Sequence, residues 1–334
     1  MSIKLIEDKM LWDNFIDESD YGLLFHKWDF LKIMEKHTKC KLLSYGIYKG
    51  DMLICVFPLF FKKTALLNSV FSPPPKTGVP NLGFVMSAGF DKLKQDKKEN
   101  NINIMGDEIS EELKTLSLNY ISISTVSNFL DVRPFKWNEY NIMPQHQYVI
   151  DLSDSLETIW AGVTGGCRKK VKNLENKEVI LKESNDVTKF YELYKMRYDE
   201  QNLILPLSKD YIVDVINKFE NNVHIYYLCD SNKDKILGAL LTVKYKDRFT
   251  HWLGNVRATE VTGVNEYINW ELIKMAKTNG YKKFVISGAG TRRLCQFKSK
   301  FNPSLEISFD VCKKDNFGKV AEWIYFNFIK KRRF

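Results

Sequence analysis

The sequence predicts an α/β chain of two domains, each with a mixed, mostly antiparallel central sheet flanked by helices. With 334 residues, the chain has the length of two ordinary domains. Hydrophobic residues make up 44% and charged residues 27%, which allows a sizeable core. The expected elements follow one order twice: helices, an antiparallel meander, then a helix and a strand. This repetition predicts a structural duplication, with domains at 1–150 and 151–334.

The first half carries local signals for a hairpin and a stiff loop. Its apolar spacing predicts a helix over 28–37, and Lys-Gly-Asp between strands at 42–48 and 52–61 is typical of a hairpin. Residues 71–84 contain four prolines and two glycines, so they cannot form a helix. We interpret this loop as one wall of a binding cleft, with a plain connector as the alternative. A helix at 107–118 and a strand at 120–125 follow.

The second half alternates helices and strands. The expected helices are 160–178 with an interruption at Gly165 and Gly166, 187–202, 207–219, 265–278 and 318–330, and the expected strands are 223–229, 236–245, 248–253, 284–287 and 305–312. The helix at 265–278 should stop at Asn279-Gly280, a normal C-terminal signal.

The last helix has an apolar stripe at helical spacing: Val320, Trp323, Ile324 and Phe328. A basic run follows it at 330–333. We expect the stripe to pack on the core, with the basic tail exposed. The alternative is a helix lying on an anionic membrane, where aromatic and cationic side chains occur together.

Cysteine and histidine spacing argues against a metal site. The six cysteines are scattered without a CxxC pair, and the five histidines do not cluster near them. We expect reduced, buried thiols. No secretory signal or transmembrane segment is recognisable, because the longest apolar stretch, near 52–61, is short and broken by Pro58. The sequence therefore predicts a cytoplasmic protein.

The net charge of +9 favours anionic partners. It is concentrated in basic runs at 168–172 and 330–333. Nucleic acid, phosphorylated substrates or an acidic membrane face would suit these runs, and a solvated surface is the plain alternative.

The segment 249–302 carries the chemistry. It contains an aromatic residue and a glycine at a strand end, a helix with Asn265 and a tryptophan, a further glycine, and a Phe-Lys-x-x-Phe element; the positions are Trp252–Gly254, Asn265, Trp270, Gly280, Phe297, Lys298 and Phe301. This pattern resembles the FemAB-like family, the aminoacyltransferases that build peptidoglycan cross-bridges, and its wider acetyltransferase-like (GNAT) relatives. The segments 167–177 and 190–212, and the Trp28–Lys32 pair, resemble further family elements.

The resemblance implies two acetyltransferase-like domains with substrate in a cleft between them. It implies that Lys298 sits at the reacting centre and that Lys32 and Arg197 bind substrate phosphate. Trp252 and Asn265 are further expected substrate contacts.

The chemistry of acyl transfer agrees with this role for Lys298. Attack of an amine on a carbonyl builds negative charge on oxygen, and a fixed ammonium stabilises that charge. We interpret Gly288-Ala289-Gly290 as a turn, since a phosphate loop needs more glycines or a following Lys-Ser/Thr. His251 is interpreted as a packing residue, with general base as the alternative.

The expected function is therefore transfer of an acyl or aminoacyl group to a small-molecule or peptide-like amine, with no tightly bound cofactor. Aminoacyl-tRNA is favoured over acyl-CoA as the donor, because no (Gln/Arg)-x-x-Gly-x-(Gly/Ala) loop is recognisable and tRNA binding sums many phosphate contacts. Two alternatives stay open: an N-acyltransferase using acyl-CoA or acyl-carrier protein, and a non-catalytic nucleic-acid or envelope-binding protein of the same fold.

Overall fold

The computed structural model describes residues 2–232, 235–257, 261–324 and 327. The strands are β1 (Ser2–Leu5), β2 (Lys41–Lys49), β3 (Met52–Lys63), β4 (Asn68–Ser72), β5 (Val85–Met86), β6 (Tyr120–Ser124), β7 (Asn141–Asp151), β8 (Val179–Ser184), β9 (Val223–Asp230), β10 (Lys235–Tyr245), β11 (Arg248–Arg257), β12 (Lys283–Ile286) and β13 (Ser304–Lys314). The helices are α1 (Lys9–Glu18), α2 (Trp28–Thr38), α3 (Gln95–Thr115), α4 (Arg133–Trp137), α5 (Leu156–Gly162), α6 (Gly165–Glu175), α7 (Val187–Asp199), α8 (Lys209–Lys218), α9 (Val264–Thr278), α10 (Arg292–Lys298) and α11 (Asn316–Ile324).

The chain forms two compact units. Unit 1 comprises 1–145 and 307–334, and unit 2 comprises 146–306. The expected ranges, 1–150 and 151–334, differ from these units in the placement of the last segment. Residues 307–334 belong to unit 1 because β13 pairs antiparallel with β6, from Asp310 opposite Ser124 to Lys314 opposite Tyr120.

The two units have sheets of the same design. The strand order is β1-β2-β3-β4-β6-β13 in unit 1 and β8-β9-β10-β11-β12-β7 in unit 2. In the described part of each sheet, one neighbouring pair is parallel: β4 with β6, and β11 with β12. A long helix, α3 or α9, connects the two strands of that pair, as a parallel pair requires. The predicted fold class, α/β with mixed, mostly antiparallel sheets flanked by helices, is confirmed.

Glycines set two of the predicted boundaries. Gly50, with φ of +61°, turns the β2–β3 hairpin, and Gly280, with φ of +79°, follows the end of α9. The proline-rich loop is fastened to unit 1, because Asn81 Nδ2 donates to the carbonyl oxygen of Thr125 at 2.7 Å. Its role as a cleft wall stays a prediction.

The core of unit 2 holds α9 against β11 and β12. Ile268, Leu272 and Ile273 on α9 are fully buried. Phe249 of β11 stacks on Phe284 of β12 with ring centroids 5.6 Å apart. Burial of each such side chain contributes about 1.5–3 kcal/mol, so this core stabilises the pairing of β11 with β12.

The expectation that the last helix packs its apolar stripe on the core is wrong. Val320, Trp323 and Ile324 of α11 are 54%, 58% and 43% exposed, and Phe328 lies outside the described residues. The helix instead approaches unit 1 through Gly318, where an added Cβ would lie 2.1 Å from the backbone oxygen of Asn119. Among the described helices, none combines the length and apolarity needed to cross a membrane.

Candidate active site

The site of interest in unit 2 begins where β11 and β12 separate. Their parallel pairing runs from Arg248 opposite Lys283 to His251 opposite Ile286. Beyond that point β11 continues to Arg257, while the chain leaves β12 at Ser287. The backbone of β11 therefore loses its β12 partner in the middle of the sheet, which leaves room for another group to approach.

Lys298 closes the end of β12. It is the last residue of α10 and is only 4% exposed. Its Nζ donates hydrogen bonds to the carbonyl oxygens of Ser287 and Gly288, the first two residues after β12. Gly288 has φ of +83°, a conformation that favours glycine, and this turn aims its carbonyl at the lysine. Burial lowers the pKa of Lys298 from 10.5 to about 8.

His251 lies beside this lysine as a neutral group. Its Nδ1 is 3.1 Å from Asn269 Oδ1, and Asn269 Nδ2 donates to the carbonyl oxygen of Asn265 at 2.8 Å. Because the amide's NH₂ is used there, its oxygen accepts from the ring, which places the imidazole proton on Nδ1. Burial, and secondly the charge of Lys298, lower the pKa of His251 to about 3. Such a ring is a weak proton acceptor, which favours the packing interpretation.

A cavity of about 230 Å³ opens at the first turn of α9. It is lined by Lys170, Arg197, Thr262, Gly263, Val264, Asn265, Glu266, Arg293 and Phe297. Three cationic side chains thus meet the N-terminus of a helix of 15 residues. Backbone N–H groups and the helix dipole favour negative charge there. Phe297 in the lining directly precedes Lys298, so the cavity and the buried ammonium are adjacent along the chain.

The charges in this cavity are unequally paired. Glu266 is 5% exposed and binds Lys170 at 2.9 Å and Lys300 at 3.2 Å. Burial alone would raise the pKa of Glu266, but these lysines outweigh it and hold the pKa below its usual value. Arg197 pairs with Glu200 at 2.7 Å. Arg293 is exposed and makes no ion pair with any described residue.

The structure places the predicted site residues as follows. Arg197 and Asn265 line the same cavity. Trp252 is 6% exposed on β11 and meets Tyr211 edge-on at 6.5 Å. Lys32 belongs to α2 of unit 1, where it is half-exposed and pairs with Glu35.

Sequence reasoning missed Lys170 and Glu266 as cavity residues. Lys170 was interpreted as part of a surface basic run, yet it reaches a carboxylate 96 positions later. The available signal for Glu266 was its position directly after Asn265 in the first turn of a helix. Within the described residues, no group of three or more His, Cys, Asp or Glu could hold a metal ion.

Residues 164–298, from the start of α6 to Lys298, match the acetyltransferase (GNAT) domain family. These residues are therefore similar to a GNAT domain. No curated protein sequence matches the chain.

Solved structures match the chain over almost its whole length. FemX superposes with a TM-score of 0.70 at 11% identity, covering 93% of this chain and 97% of FemX. The C-terminal domain of a putative lysylphosphatidylglycerol synthetase from Agrobacterium fabrum gives 0.60 at 11%, covering 95% and 96% of the two chains. L-PGS from Bacillus licheniformis gives 0.60 at 12%, covering 97% and 98%. At these identities the likeness shows the fold, and at that level the resemblance to the FemAB-like family is confirmed.

Proposed function

We propose that this protein transfers an aminoacyl group from aminoacyl-tRNA to an amine, with Lys298 at the reacting carbonyl. One observation carries the proposal: a buried ammonium stands where β11 and β12 separate, and the residue before it, Phe297, lines a cationic cavity at a helix N-terminus. A buried lysine with a lowered pKa costs stability, and active sites are where such groups are retained. The GNAT domain supports acyl transfer as the class of reaction.

The ammonium of Lys298 suits an oxyanion. It has three N–H donors, and the described residues account for two, at Ser287 and Gly288. In the proposed step, the neutral amine attacks the ester carbonyl carbon, and the third N–H donates to the oxygen that gains charge. The intermediate then breaks its C–O bond to the tRNA ribose. The attacking nitrogen loses one proton, and the released ribose oxygen gains one and becomes a hydroxyl.

The cavity suits the phosphates of the donor. Arg197, Arg293 and the first N–H groups of α9 offer a cationic, donor-rich wall. The charge of +9 and the basic runs favour tRNA, whose affinity sums many phosphate contacts. The acceptor's identity beyond an amine, and the cytoplasmic location, stay predictions.

A second candidate is an N-acyltransferase that uses acyl-CoA or acyl-carrier protein. It is favoured by the match of residues 164–298 to the acetyltransferase family, because the matched range includes the cavity at α9. Both donors bring phosphate, so the cavity alone does not separate them.

Binding measurements separate the donors. Uncharged tRNA and acetyl-CoA are titrated separately over a range of salt concentrations, with Arg293→Ala as the test variant. Arg292→Ala is the matched control, since Arg292 is also exposed but does not line the cavity. The proposal predicts that the affinity for tRNA falls steeply as the salt concentration rises. In Arg293→Ala, but not in Arg292→Ala, this dependence should be weaker by the contribution of about one phosphate contact. Tight acetyl-CoA binding without tRNA binding would establish the second candidate. Salt-dependent tRNA binding without any transfer would indicate a non-catalytic binding protein.

A further inference from the structure

Helix α11 of unit 1 presents an apolar face to solvent. Phe317, Val320, Trp323 and Ile324 are 47%, 54%, 58% and 43% exposed. They recur at intervals of three and four residues, so they lie on one side of the helix. An exposed tryptophan and phenylalanine on one short helix are unusual for a surface that meets only water.

The opposite side of α11 is fastened to unit 1. Gly318 lies against the backbone of Asn119, and its N–H donates to Asp315 Oδ1 at 2.7 Å. Lys314 Nζ donates to both carboxylate oxygens of Glu322, at 2.7 Å and 2.8 Å. The negative charge of Glu322 is therefore paired on the attached side of the helix. The same contacts orient α11 so that its apolar face points away from unit 1.

Positive charge accompanies this face. Lys319 is exposed on α11, and the sequence continues to Lys330, Lys331, Arg332 and Arg333. We propose that α11 is a docking surface for an anionic phospholipid membrane, and that the basic residues a few positions later in the sequence add to the attraction. Aromatic side chains enter the interface between headgroups and acyl chains, while lysine and arginine attract anionic headgroups.

Charge complementarity selects this occupant over a second copy of the chain. A two-fold dimer through α11 would join two chains with the same basic C-terminal sequence, and the like charges would oppose their approach. Binding to an anionic bilayer instead becomes more favourable by about 1 kcal/mol for each basic residue near the bilayer surface. The helix is short, so docking is reversible and sensitive to salt.

The test is co-sedimentation of the full chain with vesicles. One set contains phosphatidylcholine alone, and the other contains equal parts of phosphatidylcholine and phosphatidylglycerol. We expect binding to the anionic vesicles, release at high salt, and at least about tenfold weaker binding for Trp323→Ala, since its side chain buries a large apolar area in the interface. Leu66→Ala is the matched control, because Leu66 is a 76% exposed apolar residue of the same unit; its binding should not change.

Melting temperatures of both variants check that the fold is retained, which is expected because both side chains are exposed. Trp323→Ala should also leave tRNA binding unchanged, which separates the membrane surface from the proposed donor site. The proposal is overturned if the chain ignores anionic vesicles, or if Trp323→Ala binds them as the parent does. It is equally overturned if the parent chain is a dimer that Trp323→Ala dissociates, since the face would then be a self-interface.

Discussion

Replacing Lys298 with methionine should remove activity without lowering stability at neutral pH. The pKa of Lys298 falls from 10.5 to about 8 because the side chain is buried. At 1.36 kcal/mol for each pKa unit, this lowering means that holding the ammonium in the folded protein costs about 3 kcal/mol below pH 8. Methionine has a similar length and carries no charge, so it avoids this cost. It also leaves the carbonyls of Ser287 and Gly288 without their donor, which costs about 1–3 kcal/mol. The two effects roughly cancel at pH 7.

The pH dependence isolates the charge of Lys298. Because its folded-state pKa lies below its unfolded value, the unfolded chain binds more protons between about pH 8 and 10.5. The parent protein should therefore gain about 2 kcal/mol relative to Lys298→Met between pH 8 and pH 10. Urea unfolding of both proteins at several pH values measures this difference. A constant difference across that range, or a loss of more than about 3 kcal/mol in Lys298→Met at pH 7, would refute the reasoning.

The remaining predictions concern the same region. If the cationic form of Lys298 is required, the rate of transfer should fall above about pH 8, and Lys298→Arg, if active, should lack that fall. Replacing His251 with glutamine should reduce turnover by less than about tenfold, since loss of a general base would cost about 10²–10⁴; a larger loss at unchanged melting temperature would restore the base assignment. Changing Gly288 to alanine should destabilise the protein by about 1 kcal/mol through its positive φ. The strained turn should also slow transfer by shifting the carbonyl that binds Lys298, and unchanged kinetics would contradict the role of that turn.

Elements with local signals could be predicted from the sequence. The β2–β3 hairpin and helix α9 with its stop at Gly280 depend on glycine chemistry and apolar spacing within a few residues. The helix break expected at Gly165 and Gly166 lies instead just before them, and both glycines begin α6. Strands β1 and β8 were missed, because short edge strands with charged residues carry little alternation. The placement of 307–334 with unit 1 was also missed, because it depends on pairing between β6 and β13, far apart in sequence.

The site was predictable only in part. The Phe-Lys-x-x-Phe element identified Lys298. The helix that carries this lysine, α10, was not expected, although Thr291 before it is a typical helix N-cap. The hydroxyl of this residue accepts from the N–H of Leu294 at 3.3 Å and caps the helix. The cavity combines residues from α6, α7, α9 and α10, and no local pattern brings these together. The stripe on α11 predicted an amphipathic helix correctly, but spacing alone does not distinguish a face that meets the core from one that meets another surface.

Transfer from aminoacyl-tRNA by the parent protein and by Lys298→Met tests the central claim most directly. The assay incubates excess protein with tRNA carrying labelled amino acids and a pool of small amines and peptides, and detects labelled amide product by mass spectrometry. We expect the parent protein to form an amide. Lys298→Met should bind tRNA with the same affinity and salt dependence and form product at least about 100-fold more slowly. Equal rates for the two proteins, or amide formation from acetyl-CoA alone, would contradict the account.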